Sequence, residues 1–68
     1  MMEKVILQVT GMNCVHCETA VVNELTDMGA ANVIASAESN TVEITYDTAV
    51  VTLDAMKNEI SDMGYVVA

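Results

Sequence analysis

The chain runs through the same order of patterns twice: apolar–polar alternation, apolar residues at helical spacing, then alternation again. In residues 3–10, Val5, Leu7 and Val9 alternate with Lys4, Gln8 and Thr10, and Ile6 adds an apolar residue to the outer side. A period of two marks a strand with one face buried. Gly11 breaks the pattern. A helix is expected from near Cys14 or Val15 to about Met28, with Ala20, Val21, Leu25 and Met28 on its inner side and Gly29 ending it. Residues 32–37 and 41–46 read as two strands. Only Glu38-Ser39-Asn40 lies between them, so they must form an antiparallel hairpin. Thr52 is placed to cap a second helix, along which Leu53, Met56, Ile60 and Met63 make one apolar stripe. Gly64 ends that helix, and Tyr65-Val66-Val67 reads as a short last strand.

The resulting order, β-α-β-β-α-β, leaves few topologies open. Two split β-α-β units with right-handed crossovers give an α+β, ferredoxin-like sandwich. Its four-stranded antiparallel sheet carries both helices on one face. The 68 residues contain no proline, linker or low-complexity stretch, so one domain over residues 1–68 is expected. A core of that size is thin, and one cysteine pair is the only covalent help on offer. Cys14 and Cys17 are three positions apart, so a disulfide between them would close a tiny loop and staple nothing distant. The pair is expected to carry chemistry rather than architecture.

Charge narrows the partners. The formal net charge is −8, with Lys4 and Lys57 the only strong bases. That balance argues against nucleic acid and anionic membrane surfaces as partners. Two readings of the surplus acid stay open: a partner with a basic docking face, or plain solubility of a small apolar domain. The first residues lead into a strand pattern rather than a long apolar signal segment, and no apolar run approaches transmembrane length. The cytoplasm, where thiols stay reduced, is the expected setting.

The informative segment is Gly11-Met12-Asn13-Cys14-Val15-His16-Cys17, at the junction of a strand and a helix. A CxxC pair there brings two sulfurs within chelating range. The helix N-terminus favours the thiolate over the thiol. Thiolates select soft ions, Cu(I) first, and also take Hg(II) and Zn(II). A structural zinc site wants four closed ligands, which two cysteines and one histidine do not supply. Two-sulfur binding leaves an ion open to a partner's thiols, as a carrier requires. The enzyme-class alternative, a thioredoxin-type thiol-disulfide oxidoreductase, shares the CxxC but needs a cis-proline that this chain lacks. The ten Asp and Glu residues are scattered and form no acid–base pair, so no catalytic residues are expected.

This segment resembles the GMxCxxC signature of heavy-metal-associated domains, and the likeness extends over the chain to Gly64-Tyr65. Cys-x-His-Cys with that Gly-Tyr is similar to bacterial copper chaperones of the CopZ type. The resemblance implies Cys14 and Cys17 as metal ligands, Met12 as a buried support for the loop, and Tyr65 on a neighbouring loop close to the site. It also implies a copper-transporting P-type ATPase as the partner that receives the ion by thiol exchange. The metal-binding domain of such an ATPase and a mercury carrier are the alternatives within the family. Three departures stand out. Met28-Gly29-Ala30-Ala31 is one residue shorter than the usual helix-to-strand connection. No basic residue flanks the metal loop, which reverses the docking polarity of some relatives. Asn13 precedes the first cysteine, where an Asp accompanies zinc transport in the family.

Single residues carry plainer readings beside these. His16 is expected as an exposed spacer, although an ion shared between two copies in a metal-bridged homodimer would bring it into play. Met12, Met28, Met56 and Met63 read as core residues. Tyr65 is open to two roles, packing on the sheet or shielding the sulfurs.

Overall fold

The computed structural model describes all 68 residues, Met1–Ala68. The elements follow the expected order: β1 (Met2–Thr10), α1 (Val15–Asp27), β2 (Asn32–Ser36), β3 (Thr41–Asp47), α2 (Leu53–Asp62) and β4 (Val66–Val67). They form one antiparallel sheet in the order β2-β3-β1-β4. This is the ferredoxin-like sandwich that the pattern implies. The ends differ by a residue or so. β1 begins at Met2, because Met2 pairs with Asp47 and carries β3 one residue further. β4 holds only Val66 and Val67, opposite Thr10 and Val9, and Tyr65 falls outside the strand for a reason that lies in α2.

Alternation sets the layers. Val42, Ile44 and Tyr46 of β3 lie opposite Leu7, Val5 and Glu3 of β1. The three β3 residues are buried with Leu7 and Val9 under the helices. From α1, Val21 and Leu25 are fully buried, and from α2, Met56 and Ile60. Ala20, Met28, Leu53 and Met63 sit half-buried at the margins of the stripes. Ile6, the apolar residue on the outer side of β1, is exposed on the sheet's open face.

Both helices end in the same way. At the end of α1, the Ala30 N–H donates to the Leu25 carbonyl (3.1 Å) and Gly29 N–H to Thr26 (3.0 Å). At the end of α2, the Tyr65 N–H donates to Ile60 (3.4 Å) and Gly64 N–H to Ser61 (3.0 Å). These are Schellman closures. The shortened connection after α1 is therefore a complete stop, with Ala30 buried and the Ala31 N–H bonded to the Thr45 carbonyl at 2.8 Å. In the second closure Gly64 has φ +98°, a conformation that side chains disfavour. That reversal turns the chain back across the end of the sheet and delivers Tyr65 to the other loop at that end.

Candidate metal site

The loop between β1 and α1 is held from below and from the side. Gly11 takes φ +106°, and a Cβ built there would lie 3.2 Å from Cδ1 of Tyr65. Glycine thus serves both the backbone turn and the close seating of the Tyr65 ring. Met12 follows and drops its side chain into the core, where it is 2% exposed. The buried anchor expected from the family likeness is present. With Met12 buried, Asn13 and Cys14 are left on the surface.

Cys14 is the N-cap of α1, in extended backbone conformation, and its side chain makes no capping hydrogen bond. Its carbonyl accepts from the N–H groups of Cys17 (3.1 Å) and Glu18 (3.2 Å), which starts the helix. That turn folds Cys17 back over the cap, and the two sulfurs stand 3.5 Å apart with the Cys14 thiol directed at Cys17. Both cysteines are free; Cys14 is exposed and Cys17 half-buried. Across the molecule, the Glu18 carboxylate accepts from the Ala37 N–H at 2.6 Å, pinning the first turn of α1 to the β2–β3 hairpin.

The electrostatics single out Cys17. Its thiol pKa is lowered, first by the hydrogen bond from the Tyr65 hydroxyl, then by the Cys14 thiol and the Asn13 backbone. Each donor stabilises the charged sulfur. Partial burial pushes the other way without prevailing. The same contact raises the Tyr65 phenol, because a phenol that donates to sulfur holds its proton more tightly. The helix N-terminus favours the thiolate as well. The Tyr65 phenol, open in the sequence to packing or shielding, packs on Gly11 and lowers the pKa of the Cys17 thiol.

His16 lies exposed between the cysteines on α1. No three His, Cys, Asp or Glu side chains converge anywhere in the molecule. What the loop presents is a pair of sulfurs, one with its thiol pKa lowered, at the tip of a helix. It can grip a soft ion from one side and leave the other side open.

Known proteins share this architecture. The model of the heavy-metal-associated domain family matches residues 6–66, and the chain belongs to that family. It is 40% identical over 60 residues to a protein named copper chaperone CopZ from Staphylococcus saprophyticus, covering 87% of this chain and 88% of the relative. The solved structure of a CopZ metallochaperone superposes with a TM-score of 0.92 at 36% identity, over 97% of this chain and all of the other. The N-terminal domain of a potential copper-translocating P-type ATPase from Bacillus subtilis, solved in its Cu(I)-loaded state, gives 0.91 at 25% identity, with 98% of this chain and 85% of that one covered.

Proposed function

We propose that the chain is a cytoplasmic carrier of Cu(I), acting as one heavy-metal-associated domain rather than as an enzyme. The observation that carries this reading is the exposed sulfur pair, 3.5 Å apart on the start of α1 with no third ligand converging on it. Two metal–thiolate bonds of about 2.3 Å each would span about 4.6 Å if collinear. The sulfurs therefore need to open by about 1 Å, which the exposed Cys14 side chain supplies by rotating. A monovalent soft ion tolerates two thiolates, whereas Zn(II) would lack two of its four ligands.

Release follows from the same openness. A partner's thiolate adds to the bound ion, the bond to Cys14 breaks, a second partner thiolate replaces Cys17, and the metal changes no oxidation state. The acceptor is the soluble metal-binding domain of a copper-transporting P-type ATPase, a reading supported by the family and by the Cu(I)-loaded ATPase domain of the same shape. That likeness also supports a second reading, in which this chain is itself the metal-binding domain of such an ATPase. The test is an anaerobic titration against a chromophoric Cu(I) chelator, with Zn(II) run in parallel. One tightly held Cu(I) per chain, bound in strong preference to Zn(II), is expected. Turnover of a disulfide substrate well above the rate of a free dithiol would overturn the carrier assignment.

A further inference from the structure

One residue holds the start of α1 in two ways. Cys14 gives the helix no side-chain cap. Its carbonyl is bonded instead by the N–H groups of Cys17 (3.1 Å) and Glu18 (3.2 Å). Glu18 then reaches out of the helix, and its carboxylate accepts from the Ala37 N–H at 2.6 Å. Ala37 is the first residue past β2, and its N–H has no backbone acceptor. The carboxylate supplies one across 19 positions of sequence. Glu18 therefore grips the carbonyl of one cysteine, adjoins the other, and ties the turn that contains them to the sheet.

The other carboxylates do nothing comparable. Glu24 and Asp27, further along α1, are exposed, whereas Glu18 is half-buried. Glu43 pairs with Lys4, and Asp47 with the N-terminal amine. No cation pairs with Glu18; its charge faces a backbone N–H, and such a charge-assisted bond is roughly twice as strong as a neutral one.

We infer that Glu18 is the positioning residue of the sulfur pair, its carboxylate mooring the first turn of α1 to the β2–β3 hairpin so that Cys17 stays fixed while Cys14 turns to admit the ion. The purpose of this tie rests on the proposed carrier role; its geometry does not. The two cysteines are unequal in the way that the role requires. Cys17 lies inside the first turn, half-buried and packed against the core. Cys14 is exposed and precedes the helix. Helix ends fray, and the first N–H groups have no partner within the helix. A fraying first turn carries Cys17 away from Cys14, and the pair loses the arrangement in which two sulfurs take one ion. Holding that arrangement in advance lowers the ordering cost of binding.

A tie that served stability alone makes a different prediction. Its loss would lower the midpoint of unfolding and leave Cu(I) affinity unchanged, because the folded chain would still present the same sulfurs.

The test compares Glu18→Ala, which removes the acceptor, with Glu18→Gln, which keeps a carbonyl acceptor and loses the charge. Alanine and glutamine are both good helix formers, so the fold persists in each. Two quantities are measured: amide hydrogen exchange of the reduced, metal-free chain, and Cu(I) affinity by competition with a chromophoric chelator. In Glu18→Ala the Cys17, Glu18 and Ala37 amides should exchange about tenfold faster, with those of α2 and the later turns of α1 unchanged. Cu(I) affinity should fall by about the same factor. Glu18→Gln should stay within about threefold of the wild type in both measurements. The inference is overturned by unchanged Cu(I) affinity in Glu18→Ala, or by faster exchange spread evenly over both helices. It is overturned as well if Glu18→Gln loses as much as Glu18→Ala, which would make the charge the cause and not the tie. A wild-type chain without tight Cu(I) binding sinks the carrier role alone, and the exchange pattern then decides whether Glu18 holds Cys17 in place.

Discussion

The two helices end alike and begin differently. Each closes in a Schellman turn with glycine past its last residue. Each begins from a cap residue in extended conformation. At α2 the cap is Thr52, whose hydroxyl accepts from the Ala55 N–H at 3.2 Å. At α1 the cap is Cys14, whose side chain caps nothing. A good cap is worth about 1 kcal/mol, a large share of what a domain this small has to spare. The start of α1 forgoes that stabilisation and leaves its cap side chain free to turn toward the Cys17 sulfur. The helix start left uncapped is the one that carries the sulfur pair, so stability and metal binding compete for one position.

Cys14→Ser breaks the comparison most sharply. Serine is a strong N-cap and a poor soft-metal ligand, so the substitution should abolish tight Cu(I) binding and stabilise the metal-free fold by roughly 0.5–1 kcal/mol. Chelator competition and denaturant unfolding of the reduced chain measure the two effects. Near-native Cu(I) affinity would remove the two-sulfur reading. Retained affinity with no gain in stability would remove the competition as well. The converse change comes next in size. Thr52→Ala deprives α2 of its cap and should cost about 1 kcal/mol, lowering the melting temperature by roughly 4–8 °C, with Cu(I) affinity unchanged. A loss of metal affinity there would mean that the far end of α2 reaches the site, which the separation of the two helix starts argues against.

How much of this was legible in the residues can be traced element by element. The β3 alternation and the Met56–Ile60 stripe were read correctly because each buries one face only. The Thr52 cap was read because its hydroxyl acts on its own neighbours. Cys14 and Cys17 were legible as a pair for the same local reason, since a single helical turn brings the sulfurs together. The role of Tyr65 was not. It depends on the Gly64 reversal at one end of the chain meeting the Gly11 turn near the other, and no local pattern encodes the meeting of two loops more than 50 positions apart. The capping deficit of Cys14 was equally hidden, because sequence marks where a helix starts without saying what the cap side chain does. The tie from Glu18 to Ala37 became visible only once the fold set α1 beside the β2–β3 hairpin.

The smallest expected effect tests the Tyr65 hydroxyl, where those two loops meet. Tyr65→Phe keeps the ring on Gly11 and removes the hydroxyl that donates to Cys17. That donor is the leading cause of the lowered Cys17 thiol, so its removal should raise the apparent pKa of Cys17 toward the ordinary thiol range while the fold persists. The sign in the folding balance is the same. A thiol held low in the folded state stabilises the fold fully above its unfolded pKa, and that contribution fades as pH falls through the folded value. Losing the hydroxyl should therefore trim stability at alkaline pH and leave it untouched in acid. Metal loading should likewise require a higher pH, because the proton on Cys17 must leave before the ion can bind. The rate of Cys17 alkylation against pH in the metal-free chain reads the shift directly. Identical profiles for the wild type and Tyr65→Phe would leave Tyr65 with its packing role alone and return the priming of Cys17 to the helix start and the Cys14 thiol.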